Sequence, residues 1–308
     1  MDIMSYIKHP YKILLRLAST NSIKMNDEKY IKLKYKMKMN RTLDLENPQT
    51  FNEKLNWLKL YDRNPEYTKM VDKYEVKKYV ADKIGEEYII PTLGIYNNFD
   101  EIDFDKLPNQ FVMKCTHDSG GLVICRDKNN LNLKQAKKKI EKSLKRNYYY
   151  TCREWPYKDV KPRIIIEQYM EDKGEKDLKD YKFFCFNGEP KICLVCSDRE
   201  NYLKETFYDE NWNLFPFSRA NHKIDKTIKK PINFEQMQIL SIKLSENIPF
   251  VRIDFYEIER KTYFGEITFY PAAGTEKFEP EKYDKILGEM LNLGNIKKGK
   301  IDLYNYEK

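Results

Sequence analysis

Side chains able to hold a cation together with an anionic partner crowd into the run FVRIDFYEIERKTYFGEITFYPAAG, residues 250–274. Strand-like alternation on both sides of Glu259-Arg260-Lys261 predicts a β-hairpin with a charged turn. In its first strand Val251, Ile253 and Phe255 share one face, which leaves Arg252, Asp254 and Tyr256 on the other. In its second strand Phe264, Glu266 and Thr268 share a face. If the polar faces coincide, a guanidinium and two carboxylates project together. Such oxygen donors suit Mg2+, which prefers carboxylates completed by substrate phosphates. A solvated hairpin with a cross-strand ion pair has the same pattern, so the hairpin alone decides nothing.

A second stretch bears on the question. QFVMKCTHDSGGLVICRD reads as a strand (residues 111–115), a small-residue loop (116–121) and a returning strand (122–125). Lys114 ends the first strand and Ser119-Gly120-Gly121 forms the turn. Glycines let backbone N–H groups approach anionic oxygens, and a lysine adds a point charge. The order and spacing are not those of a P-loop, and strand–Gly-Gly–strand is also an ordinary hairpin. His117 in this loop reads as a hydrogen-bond donor rather than a catalyst. The three histidines (His9, His117, His222) fall in unrelated contexts, and no Ser/His/Asp set is present. Cys193-x-x-Cys196 sits in a strand-like run without a second pair to complete a zinc site. All six cysteines read as reduced thiols.

These residues must be positioned by a chain of 308 residues, long enough for two or three subdomains. With 34% charged and 41% apolar residues it is expected to be globular, and no apolar run is long enough to span a membrane. The net charge of +8 comes from scattered lysines. Anionic small molecules or a membrane surface explain it as well as nucleic acid would, and no nucleic-acid motif appears. Residues 1–85 read as mostly helical. A basic amphipathic stretch over 1–40 carries Ile7, Tyr11, Leu14 and Leu15, a capping box at Thr50/Glu53 opens TFNEKLNWLKL, and one helix is expected over 68–84. EYIIPTLGIY then reads as two short strands around a proline. A lysine-rich helix follows over 131–147, then a buried strand in PRIIIEQYMED, and a hairpin turning at Asn187-Gly188. Helices close the chain at 233–247 and in EPEKYDKILGEMLNL.

Taken in order, DK, strand-K-loop-SGG, IIIEQYM, DYK, R-x-D and G-E-x-T resemble the ATP-grasp superfamily. TFNEKLNWLKLYDR, EWPYK and DYKFFCFNGEPK resemble its TupA-like branch, found in bacterial surface-polysaccharide gene sets and often labelled glycosyltransferase. The resemblance implies an α+β fold with two lobes clamping ATP, preceded by a mostly helical region. The expected divisions are 1–85 (helical), 86–166 (small lobe with the glycine-rich loop) and 167–308 (C-terminal lobe with the Mg2+ site). Lys73 and Lys114 match phosphate-holding lysines, and Ser119, Gly120 and Gly121 match the loop over the β/γ-phosphates. Glu167, Gln168, Tyr169 and Met170 match the adenine hinge, and Asp180 a ribose-binding acid. Lys182 matches a phosphate contact and Arg252 the guanidinium that steadies the acyl phosphate. Asp254, Glu266 and Thr268 match Mg2+ ligands, with Thr268 where the superfamily usually has Asn. Replacing Asp254 or Glu266 by its amide should then remove metal and leave the fold.

The implied reaction joins a carboxylate, a uronic acid or a peptide-like acid, to an amine at the expense of ATP, with Mg2+. Cell-surface polysaccharide assembly is the implied setting. The alternative is a glycosyltransferase using a nucleotide-sugar, which would want a D-x-D-like motif beside a Rossmann-type sheet; neither is found. The expected location is cytoplasmic, at the inner face of the membrane if the basic N-terminus meets lipid or glycan-assembly machinery. No nucleic-acid partner is expected.

Overall fold

The computed structural model describes residues 11–172, 174, 178–198, 202–220 and 222–294. Ile7 and His9 lie outside the described residues. The front of the chain is helical as expected: α1 (Tyr11–Ser19), α2 (Asp27–Met39), α3 (Phe51–Tyr61), α4 (Glu66–Val71) and α5 (Glu75–Ile84). The capping box forms, with Thr50 accepting from the Glu53 N–H while the Glu53 carboxylate takes the Thr50 N–H. The helix it opens is not amphipathic, however. Leu55, Leu58 and Trp57 are buried, but so are Asn52, Asn56 and Lys59. The two asparagines donate to the carbonyls of Glu276 (2.8 Å) and Gly274 (2.7 Å), and Lys59 donates to Ala273 (2.9 Å). The polar side of α3 is a buckle on the segment after the last long strand, which satisfies backbone carbonyls that would otherwise be costly to bury.

The single helix expected over 68–84 is two. Asp72 leaves helical geometry at ψ 117, and its carboxylate accepts the N–H of Tyr74 (2.8 Å), restarting the chain as α5. The break is held from outside: Arg163 pairs with Asp72 at 2.8 Å, and the Lys73 N–H donates to the Thr116 carbonyl at 3.1 Å. Neither partner is local, so periodicity could not reveal the interruption.

Two antiparallel sheets follow. The first has the order β1-β4-β2-β3, from β1 (Thr92–Tyr96), β2 (Phe111–Cys115), β3 (Leu122–Cys125) and β4 (Ile164–Gln168). One face, with Phe111, Met113, Cys115, Ile164 and Ile166, is buried against Ala136 and Ile140 of α6 (Leu133–Leu144). The opposite face carries Lys114 and Glu167, as the period of two requires. The lobe boundary expected at 166/167 falls inside β4, which pairs with β1 and β2 along its length. Of the two strands expected in EYIIPTLGIY only β1 forms. Residues 86–88 make a short 3-10 turn and Ile89 makes one isolated bridge to Phe264. Pro91 has no N–H to donate and serves the sheet through its carbonyl, which accepts from Gln168.

The second sheet has the order β10-β9-β5-β6-β7, from β5 (Asp180–Phe186), β6 (Glu189–Ser197), β7 (Lys204–Asp209), β9 (Phe250–Ile258) and β10 (Lys261–Thr268). A small pair, β8 (Ser218–Arg219) with β11 (Phe278–Glu279), lies apart from it. Asn187-Gly188 turns the β5–β6 hairpin with both residues at positive φ, and Glu259-Arg260 turns β9–β10 likewise. The short α7 (Tyr149–Cys152) precedes β4. Then α8 (Phe234–Ser245) buries Met237, Leu240 and Leu244 against β5, β6 and β9, and α9 (Lys282–Met290) packs on α3. All six cysteines are free thiols. Among the described residues no helix is long and apolar enough to cross a membrane.

Candidate active site

The β9–β10 register decides which polar groups meet. Glu266 stands opposite Asp254 and Thr268 opposite Arg252, so the polar faces coincide as the sequence expected. One detail differs. A bulge between Phe264 and Glu266 puts Phe264 opposite Phe255, on the core side rather than beside Glu266. Gly265 makes the bulge feasible, because a Cβ there would sit 3.1 Å from the Asp254 carbonyl oxygen and from the Tyr256 ring. On the neighbouring strand Lys182 pairs with Asp254 and Asp180 with Tyr256, which extends the polar face across three strands.

That face is an ionic net. Arg252 donates to both oxygens of Asp254 at 2.7 Å and to Glu266 at 2.8 Å, and Lys182 also donates to Asp254. Burial opposes the Arg252 charge, but Asp254 and Glu266 outweigh it and its pKa rises. Burial likewise opposes the Asp254 charge, but Arg252 and Lys182 win, holding its carboxyl below the usual range. Lys182 follows the same logic and is raised, Asp254 overcoming its burial. Glu266 differs in kind: its side chain is 46% exposed, against 1% for Asp254. Thr268 donates its hydroxyl to Glu266 at 3.3 Å.

Facing this net is a second cluster on the first sheet. Glu167 lies between Lys77 (2.5 Å) and Lys114 (2.6 Å). Its burial would raise the carboxyl pKa, but the two lysines outweigh burial and lower it. Lys77 is itself lowered, burial exceeding the pull of Glu167. Lys73, presented by the break before α5, is also lowered by burial, despite Glu266 and Asp118 acting the other way. Its ammonium donates to the Asp118 carbonyl.

The loop between β2 and β3 closes the arrangement. Gly121 is there for packing: a Cβ would meet Cys115 Sγ at 2.6 Å and Ser143 Oγ at 2.7 Å. Gly120 has room for a Cβ, which would meet only Asp118 Oδ2 at 3.8 Å, and Ser119 is exposed. Asp118 anchors the loop by accepting from the Gly121 N–H (3.0 Å) and from the Ser143 hydroxyl. His117 is buried with Nε2 against the carbonyls of Ser143 (3.2 Å) and Arg146 (3.0 Å), the structural role expected of it.

Together these elements surround a cavity of about 310 Å³. Lys73, Lys114, Ser119, Gly120, Gly121, Glu167, Asp180, Lys182 and Glu266 all line it. Arg252, Asp254 and Thr268 do not line it; Asp254 pairs with the lining residue Lys182, and Arg252 and Thr268 donate to the lining residue Glu266. Gln168, Tyr169 and Met170 do not line it. The Gln168 N–H is taken by Pro91, and the Tyr169 phenol accepts from Arg126 at 3.2 Å. Sequence reasoning missed Lys77, Asp118 and Tyr256, which also line the cavity. For Lys77 a signal existed: it stands four residues after Lys73, a spacing that puts both lysines on one side of a helical turn.

A family model described as TupA-like ATP-grasp matches residues 53–292. The chain belongs to this family. Its two-lobed α+β architecture is the ATP-grasp fold expected from the motif order. Similar solved structures include D-alanine–D-alanine ligase from Bacillus anthracis, 16% identical over 79% of this chain and 69% of that one, with a TM-score of 0.40. The D-alanine–D-alanine ligase of Helicobacter pylori is 15% identical over 79% and 69%, with a TM-score of 0.42. A RimK domain ATP-grasp protein from Sphaerobacter thermophilus is 8% identical over 75% and 70%, with a TM-score of 0.41. No curated protein matches.

Proposed function

We propose that this ATP-grasp chain is a carboxylate–amine ligase that consumes ATP. The observation carrying the reading is that Lys73 and Lys114 face Glu266 across one cavity of about 310 Å³. Cations on one side and an exposed carboxylate on the other are what a metal-bound triphosphate requires. Lys73, Lys77 and Lys114 would receive the phosphates, Asp180 the ribose, and the backbone around Ser119-Gly120 would close over the terminal phosphate.

The residues present fit Mg2+. Among the described residues no group of three or more His, Cys, Asp or Glu is placed to hold a metal, so phosphate and water would have to complete the shell of Mg2+ bound here. Glu266 is the exposed donor. Asp254 and Thr268 would support it, Asp254 sharing its oxygens with Arg252 and Lys182. Bound there, the ion would neutralise charge building on the transferred phosphoryl group. Arg252, held by Asp254 and Glu266, would steady an acyl phosphate and the tetrahedral intermediate that an amine makes from it. Closure of the loop would keep water from the acyl phosphate.

The acid would be a uronic or peptide-like carboxylate and the setting cell-surface polysaccharide assembly, both inferred from the family. Contact with a membrane face or glycan-assembly machinery belongs to the same reading. The test is ADP release from Mg-ATP with paired panels of uronic or amino acids and amines, with hydroxylamine to trap the acyl phosphate. Hydroxamate formation with an acid supports the reading. Binding of ATP with no ADP from any pair, or preference for a nucleotide-sugar, overturns it.

A further inference from the structure

Away from the nucleotide cavity, three large apolar side chains lie together on the surface of α1. Ile13, Leu14 and Leu17 are 47%, 37% and 40% exposed. They occupy the side of the helix opposite Leu15 and Ala18, which are buried in a cluster with Met25 and Tyr30. The helix is therefore apolar on both faces, and only one of them is buried. Single exposed leucines are ordinary, but an adjacent trio on one helical face is a patch suited to an apolar surrounding. The fold holds this face outward. Arg153 donates to the Ala18 carbonyl at 3.3 Å, pairs with Asp27 at 3.1 Å, and lies over the Tyr30 ring at 4.3 Å. The Tyr30 phenol in turn donates to the Thr151 carbonyl at 2.8 Å, tying α2 to α7.

Charge decides what suits this face. Residues 11–39 hold eight lysines and arginines against two acids, Asp27 and Glu28, and α1 itself has no acid. Both acids are engaged, Asp27 by Arg153 and by the Tyr149 phenol at 2.6 Å, Glu28 by Lys32 at 2.6 Å. Lys12 and Arg16 flank the apolar trio on α1. Lys29, Lys32 and Lys36 are exposed at i, i+3 and i+7, along one stripe of α2. Leu33 and Met37 beside that stripe pack on the Leu15–Ala18 cluster, so the lysines border α1. An apolar strip rimmed by cations matches a lipid leaflet, whose acyl chains receive the side chains while anionic headgroups meet the rim. A second copy of this chain would bring an identical cationic rim against the first, and like charges oppose that pairing.

We propose that α1 is an interfacial anchor that lies on an anionic lipid bilayer, with Ile13, Leu14 and Leu17 inserted below the headgroups and the cations of α1 and α2 paired with headgroup phosphates. The helix lies along the surface rather than crossing it, since its 9 residues fall short of a span. Apolar insertion and headgroup attraction act together, because one weak signal alone gives only marginal, reversible attachment. The anchoring is independent of the chemistry in the cavity and goes beyond it.

The experiment is co-sedimentation of the full chain with vesicles of phosphatidylcholine alone, and of phosphatidylcholine with about one-third phosphatidylglycerol, at low and high salt. Wild type is expected to partition about tenfold more strongly onto the anionic vesicles, and to lose most of that preference when salt shortens the screening length. Ile13→Ser with Leu17→Ser should weaken binding about tenfold on anionic vesicles. Lys29→Ala and Lys36→Ala should each cost about fivefold on anionic vesicles and nothing on neutral ones. All four positions are exposed, so urea midpoints and Mg-ADP affinity should match wild type. Absence of wild-type binding to anionic vesicles, or binding unchanged by Ile13→Ser with Leu17→Ser, overturns the anchor. A concentration-dependent dimer that the same pair of substitutions dissolves assigns the face to a second copy and overturns it as well. The wild-type comparison between the two vesicles and the two salts decides the matter even if a variant does not fold. Vesicle binding is read without turnover, so a failure of ADP release bears on the ligase reading alone.

Discussion

The two ionic clusters across the cavity are built from the same kinds of residue and come out with opposite charge. On the first sheet two lysines, Lys77 and Lys114, enclose one carboxylate, Glu167, leaving a positive surplus to which Lys73 adds. On the second sheet Arg252 and Lys182 stand among Asp254, Glu266 and Asp180, leaving a negative surplus. One side is therefore prepared for phosphate oxygens and the other for the cation that accompanies them. They differ in rigidity as well. Asp254 is sealed by two cations, whereas Glu266 and Lys114 are partly exposed and can exchange their partners for ligand.

The largest effects should come from the second cluster and separate its two carboxylates. Glu266→Gln should lower ADP release at least a thousandfold, with urea stability within about 0.5 kcal/mol of wild type, since the side chain is half exposed. Asp254→Asn should abolish turnover and also cost about 3–5 kcal/mol, because it removes the buried anion that Arg252 and Lys182 share. This outcome would differ from the sequence-based expectation that both amides spare the fold. Equal stability of the two variants would erase the distinction between sealed and exposed.

Next in size is the first cluster. Glu167→Gln should cost about 3 kcal/mol by urea denaturation, and Mg-ATP should recover more stability in the variant than in wild type by supplying the missing anion. Lys114→Ala should weaken ATP binding about 10- to 100-fold, the loss of a charge-assisted hydrogen bond of about 1.5–3 kcal/mol, measured by calorimetry. Unchanged affinity would remove Lys114 from the phosphate site.

Both clusters share one pH signature. Glu167 and Asp254 have folded pKa values below their unfolded ones. Their stabilisation is present above the ordinary carboxylate range and is lost as pH falls through the depressed folded values. Urea midpoints should fall on acidification below about pH 4, and the fall should be shallower in Glu167→Gln. Nucleotide binding should show the opposite edge. Burial lowers the pKa of Lys73 and Lys77, so phosphate should draw protons onto them, and calorimetry in alkaline buffers of different ionisation heat should show uptake. The smallest contrast lies in the loop. Gly121→Ala should cost about 1–3 kcal/mol through overpacking against Cys115 and Ser143. Gly120→Ala should leave stability nearly unchanged and affect loop closure alone.

Much of this is legible in the order of the amino acids. The period of two put Arg252 and Asp254 on one face, and Asn187-Gly188 announced its hairpin. The motif order then brought Lys73, Lys114, Glu167 and Glu266 to one site, because local alternation and turn chemistry are properties of adjacent residues. What no local pattern held were the features fixed by distant partners. The helix break at Asp72 depends on Arg163 and Thr116, the Lys77–Glu167 pair joins a helix to a strand, and the bulge at Gly265 depends on close approach to β9. The burial of Lys59 belongs with them. A sequence specifies which groups are present and the period with which they face; the dielectric around each charge, and which opposite charge reaches it, is set only when separate elements pack.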